Sequence, residues 1–234
     1  MRRAVVNVAT ERYVAGQRRL RAALEDGSGE GSEVVCWTDA LPAGSPEHDE
    51  VPYAFKAFAI EAVRRRGFRY VLWADASVKP IRPLEPLWNL IERQGYWFSD
   101  NGWDNGEWTW PTAYRDLGIT PEENWGIKHV VATAFGLDLQ HPQGLAFLEE
   151  YLRLAKTKAF CGPWFNRLHP DYTRHGPSPR TGECADLKIR GHRHDQTAAS
   201  IVAHRLGLTL TAPPRWIAYH PHQTPETVLS IEGL

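Results

Sequence analysis

The sequence predicts an α/β fold, a mostly parallel sheet flanked by helices within one domain. Three observations carry this. A short β-branched run at residues 4–9 (AVVNVA) and apolar runs at 33–37 (EVVCW) and 69–74 (RYVLWA) read as buried strands. Apolar residues at helical spacing separate them, so the connections are crossover helices, which set consecutive strands parallel. The 234 residues, 42% of them hydrophobic and 24% charged, suffice for one well-buried core without disulfides or a structural metal.

The elements follow in order. After the first strand Thr10 is a good helix cap, and Tyr13, Leu20 and Leu24 recur at helical spacing. Residues 26–32 (DGSGEGS) form a turn into the second strand. A loop rich in Pro, Gly and Ser then runs to Pro52. Phe55, Phe58, Ala59, Ala62 and Val63 mark one face of the next helix, which closes on Arg64, Arg65, Arg66 and Gly67. The third strand runs straight into Asp75-Ala76-Ser77. Pro80 and Pro83 break the chain before a helix on Leu84, Leu87, Trp88 and Ile91. Residues 96–125 hold five of the ten tryptophans among Gly, Asn and Asp, a composition too polar for a core strand. Thr120-Pro121-Glu122-Glu123 is a capping box. Residues 129–136 read as a strand, 144–155 as an amphipathic helix, 160–190 as irregular and 195–206 as a helix stopped by Gly207. Late strands are expected at 208–211 and 216–219. One domain is expected over residues 1–222, in two halves that meet at about residue 95, followed by a tail at 223–234.

Composition excludes several classes. A net charge of −1, from 27 basic and 28 acidic side chains, provides no global field for nucleic acid or an anionic membrane. The apolar stretch at residues 4–9 carries Asn7 and is too short for a signal peptide, so a cytoplasmic protein without membrane contact is expected. Three cysteines without CxxC spacing argue against a disulfide framework.

Asp75 directly follows a strand of a parallel sheet, where ligands bind. Its carboxylate suits a hard cation bridging a diphosphate. Capping the following turn is the competing reading. Lys56 lies in the first turns of an apolar helix, where it gains nothing from the helix dipole. A bound anion accounts for it, against a solvated side chain lying past Phe55 and Phe58. Asp195 and Gln196 open a helix with side chains toward a cleft, or Asp195 is only its N-cap.

Residues 52–60 (PYAFKAFAI), 70–77 (YVLWADAS) and 194–200 (HDQTAAS) together resemble the GT-A-fold glycosyltransferases, over about residues 4–222. The resemblance implies a sugar moved from a nucleotide-diphosphate sugar, foremost a UDP-sugar, to an acceptor hydroxyl with a divalent cation, Mn²⁺ or Mg²⁺. It implies a DxD-type motif at Asp75, with Ser77 in place of the second carboxylate, and His220 completing the metal site. It assigns the donor to Thr10, Arg12, Tyr13, Lys56, Asp75, Ser77 and Gln196. Catalysis falls to Asp195 with Asp75. For the acceptor, Trp103 and Trp108 beside Asp100 and Asn101 offer aromatic faces and polar edges. The acceptor is a glycan, a small molecule or a hydroxylated DNA base. Arg167, Arg174, Arg180, Lys188 and Arg190 among Trp164, Phe165 and Tyr172 are compatible with DNA, against a solvated loop. Two alternatives stay open. His192-Arg193-His194-Asp195 is similar to the HxHxDH of metallohydrolases, and a non-catalytic sugar- or nucleotide-binding protein would keep the same fold.

Overall fold

The computed structural model describes residues 2–168, 184–212 and 215–233. Its strands are β1 (Arg3–Ala9), β2 (Ser32–Thr38), β3 (Tyr70–Ala74), β4 (Val78–Pro80), β5 (Tyr96–Trp97), β6 (Asp100–Asp104), β7 (Lys128–Val130), β8 (Ala134–Asp138), β9 (Ile217–Tyr219) and β10 (Leu229–Ile231). Its α-helices are α1 (Val14–Ala23), α2 (Phe55–Arg65), α3 (Glu85–Gln94), α4 (Tyr114–Leu117), α5 (Pro121–Asn124), α6 (Pro142–Ala155) and α7 (Asp195–Arg205).

The central sheet has the order β2-β1-β3-β8-β5. β1 pairs parallel with both β2 and β3, while β8 runs antiparallel to both β3 and β5. Four of the five strands therefore point one way. Alternate side chains serve opposite faces. Val6 and Trp73 join α2, α6 and α7 in one core, whereas Val5 and Leu72 meet α1 and α3 in the other. Burial on both faces is why these strands read as continuous apolar runs. No described helix is long and apolar enough to cross a membrane.

Several expectations need correction. Residues 129–136 are two strands in different sheets. β7 ends at Val130, and the chain bends where Val131 N–H donates to Ser99 O (2.8 Å) and Thr133 O accepts from Asp75 N–H (2.8 Å). The polar tryptophan-rich stretch contributes a buried strand after all, because Tyr96 and Trp97 close the edge of the central sheet beside β8. Residues 208–211 make only an isolated bridge, Ser99 to Thr211. Residues 223–234 are not a loose tail. β10 is the middle strand of a second sheet, β4-β10-β9, with Leu229 and Ser230 fully buried. Too few residues flank β10 for its periodicity to show in the sequence.

Candidate functional site

The C-terminal ends of the parallel strands carry the polar chemistry. Asp75 emerges from β3 into a tight turn closed by Val78 N–H on Asp75 O, 2.9 Å. Its side chain caps nothing in that turn. Oδ1 accepts from the indole N–H of Trp73 (2.7 Å) and pairs with Lys56 Nζ at 3.0 Å. α2 carries Lys56 beneath this edge, only 2% exposed. Its ammonium also meets Asp195 Oδ2 at 3.0 Å and donates to Ala132 O at 3.0 Å. Its three N–H donors thus face both carboxylates and a backbone carbonyl, so the buried charge is paired and its hydrogen bonds are made. Lys56 is neither a solvated lysine nor open to an anion from the cleft. It ties the two carboxylates together.

Asp195 opens α7 but caps it with no side-chain bond, and lies inside with 4% of its surface exposed. Tyr151 O–H of α6 donates to the same Oδ2 (3.2 Å). Burial raises the Asp195 pKa to about 6, and the Asp75 charge adds to this against the pull of Lys56 and the Tyr151 bond. Burial leads in pushing the Tyr151 phenol well above its ordinary value, with Asp195 adding to the rise. The charges of Asp195 and Asp75 outweigh desolvation at Lys56 and hold its pKa above the usual lysine value.

A second polar network, not singled out from the sequence, fixes the neighbouring strand ends. Asn7 in β1 is fully buried; its amide donates to Ala74 O (2.6 Å) and accepts from Gln17 Nε2 (2.8 Å). Gln17 also donates to Trp37 O (2.9 Å), so one helix residue binds β1 and β2. A lone Asn in a β-branched run was the available signal. Beyond these ends Thr10 starts a 3₁₀ turn without a side-chain cap. Arg12 lies over the Tyr13 ring (5.1 Å). Glu11 and Asp39 adopt positive φ (50° and 51°), and Glu11 N–H donates to Asp39 Oδ1 (2.9 Å). Ser77 is half-buried, and its carbonyl accepts from Glu232 N–H (2.9 Å).

No protein-family model matches the sequence, and no curated protein matches it. Solved structures do. A crystal structure of a glycosyltransferase involved in glycosylating the major capsid of PBCV-1 matches with a TM-score of 0.53 at 10% identity, covering 99% of this chain and 92% of that one. Apo mouse xyloside xylosyltransferase 1 matches with a TM-score of 0.53 at 10% identity, covering 99% and 97%. The apo bifunctional glycosyltransferase WbbM matches with a TM-score of 0.52 at 8% identity over 98% of this chain, which spans 45% of that protein's length.

The chain has a GT-A-like fold.

Within this GT-A-like fold several predicted site residues lie elsewhere than expected. Trp108 is 2% exposed and packs edge-on against Trp103 (5.9 Å), so it is core rather than an acceptor surface. Trp103 is half-buried, with the Arg190 guanidinium over its ring at 4.3 Å. Asp100 accepts from Gly102 N–H within β6 (2.8 Å) and pairs with Lys128 of the antiparallel β7 (3.1 Å), while Asn101 is half-buried beside it. Gln196 is half-buried in the first turn of α7. His220 is exposed just past β9, its Nδ1 3.1 Å from Gln223 Nε2.

The donor set suits a divalent cation poorly. Asp75 is already paired with an ammonium, Ser77 offers only a hydroxyl, and hard cations take six or more oxygens. Among the described residues no three His, Cys, Asp or Glu side chains group to hold a metal. His192 is buried, accepts from Trp110 N–H (3.3 Å) and has its pKa lowered to about 4 by burial. His194 packs on Trp164 with ring centroids 4.1 Å apart. Arg167 donates to Ile189 O and Cys184 O, both at 2.8 Å, and Arg190 pairs with Glu107 at 2.9 Å, so neither guanidinium is poised for DNA phosphate. Arg174, Arg180 and Tyr172 lie outside the described residues.

Proposed function

We propose that this protein is a glycosyltransferase that takes a sugar from a nucleotide-diphosphate donor, and that transfer occurs at the Asp75 edge of the sheet. One observation carries the reading: two carboxylates from distant chain segments, Asp75 and Asp195, share a buried lysine at the C-terminal strand ends. Burial together with a specific charge partner, at the strand ends where ligands bind, is the physical mark of a functional carboxylate.

The nucleotide lies along Thr10, Arg12 and Tyr13, and the transferred sugar reaches Asp75, whose side chain is 26% exposed. The acceptor oxygen attacks the anomeric carbon as the bond from that carbon to the diphosphate oxygen breaks. Asp195 takes the acceptor proton if the configuration inverts, and steadies the sugar cation if it is retained. Its two bonds fall on Oδ2, which leaves Oδ1 as the oxygen that acts. Arg12, beside the Tyr13 ring at 5.1 Å, supplies positive charge for the departing diphosphate. The diphosphate leaves without a metal ion.

The test is thermal denaturation with a series of nucleotide-sugars, with and without Mn²⁺. Binding to the folded state raises the midpoint by mass action. One donor is expected to do so in both conditions. No shift with any donor overturns the proposal, and a shift that appears only with Mn²⁺ overturns its metal-free form.

A further inference from the structure

Tyr151 differs from its surroundings by one atom. α6 carries it a helical turn beyond Phe147, and the two rings stack with centroids 5.4 Å apart. Phe135 of β8 meets it edge-on at 6.1 Å, and Phe160 lies 5.1 Å away. All four rings are fully buried. Three of them are Phe, so packing alone would be served by a fourth. A hydroxyl carried into an apolar cluster costs free energy unless it is bonded. The Tyr151 hydroxyl is directed at Asp195 Oδ2, 3.2 Å away.

That bond decides the orientation of the carboxylate. Lys56 Nζ reaches the same oxygen at 3.0 Å. One contact leaves a carboxylate free to turn about its Cβ–Cγ bond, a torsion with broad wells. Here α7 fixes Cβ, α2 brings the ammonium and α6 brings the phenol. The place of Oδ2, and with it the plane of the group, is set from three helices, so Oδ1 has one place as well. The phenol keeps its proton, because burial first and the Asp195 charge second hold its pKa well above the ordinary value. Asp75 is held on the same plan: fully buried Trp73 donates its indole N–H to Oδ1 at 2.7 Å, beside Lys56 at 3.0 Å. We infer that Tyr151 is a positioning residue for sugar transfer, which fixes the plane of Asp195 and so holds Oδ1 toward the reacting centre. This rests on the transferase reading above.

The charged and titratable neighbours of Asp195 come from every side. Lys56 of α2, Asp75 beyond β3 and Tyr151 of α6 act on it directly. On β7, His129 is held neutral by burial, with a pKa of about 3, and its Nδ1 lies 2.7 Å from Asn105 Oδ1. Ahead of α7, His192 is likewise neutral, Arg193 lies over the Trp108 ring, and His194 Nδ1 is 3.0 Å from Phe160 O. Glu107 pairs with Arg190 at 2.9 Å, and Glu150 of α6 meets Arg205 at the far end of α7 (3.9 Å). Phe at position 151 leaves all of these in place. It removes one donor from the ionised form of Asp195, so the carboxyl gives up its proton at higher pH.

The test is Tyr151→Phe, which keeps the ring and removes only the hydroxyl. In carbon-13 NMR of aspartate-labelled protein, the Asp195 carboxyl is identified by its loss in Asp195→Asn. It should titrate about one pH unit higher in Tyr151→Phe than in the wild type, the effect of one hydrogen bond to a charged group. Turnover is read as UDP release from UDP-glucose, UDP-galactose and UDP-N-acetylglucosamine, with water as the acceptor. At pH 8 both proteins hold Asp195 mostly ionised. There kcat should fall about tenfold in the variant while KM stays within about twofold, because only the oriented transition state loses an interaction. Melting curves establish that the variant is folded. A residue that served packing alone would leave the titration and kcat at their wild-type values, and either result overturns the inference. If the wild type turns over a donor and the variant matches it, the positioning role falls and the transferase stands. If the Asp195 signal moves but the wild type turns over no donor, the transferase falls and the role within it falls too.

Discussion

Replacing Lys56 by Met keeps the length of the side chain and removes its charge, so Asp75 and Asp195 lose their shared cation while packing changes little. Lys56 is 2% exposed, and breaking a buried pair by removing one partner costs about 3–5 kcal/mol, because the remaining charge is stranded. The loss should depend on pH in a definite direction. Asp195 in the wild type titrates at about 6 despite Lys56, and without the lysine burial and Asp75 hold its proton more tightly. Between pH 6 and 7.5 the wild type releases that proton and the variant keeps it. The unfolded chains release it in both, so the stability gap widens by about 2 kcal/mol over that interval. Urea unfolding at pH 5 and pH 7.5 measures both gaps. Lys56→Met combined with Asp195→Asn should recover much of the loss at pH 7.5. Equal gaps at the two pH values, or a gap below about 1 kcal/mol at pH 7.5, would refute the reasoning.

Three other outcomes are expected. Donor turnover should fall as pH drops through about 6, where Asp195 gains its proton, and Asp195→Asn should abolish turnover without removing nucleotide-sugar stabilisation. Trp108→Ala should destabilise the fold by about 3–5 kcal/mol in denaturant unfolding, because this ring is core, and Trp103→Ala should destabilise it less. Deleting residues 223–234 should lower the melting temperature sharply. It removes buried Val228 and Leu229, at about 1.5–3 kcal/mol each, and leaves β4 and β9 without their common partner. A deletion that melts like the full chain would restore the view of this segment as a tail.

The sequence by itself determined the parallel strands and their crossover helices, because burial on both faces leaves a local signature in β-branched runs and helical spacing. It also singled out Asp75, Lys56 and Asp195 as unusual for where they fall along the chain. What it assigned to Lys56 was a bound anion, since nothing local says that residues 19 positions ahead and 139 positions ahead will meet the same ammonium. The Trp108 ring and the β10 segment were misplaced for the same reason: polarity averaged over neighbours says little about one residue when its burial is decided by distant strands. Only tertiary structure could decide these matters, because charge pairing, ring packing and acidity depend on distance in space, and the folded chain sets those distances through contacts that sequence spacing does not record.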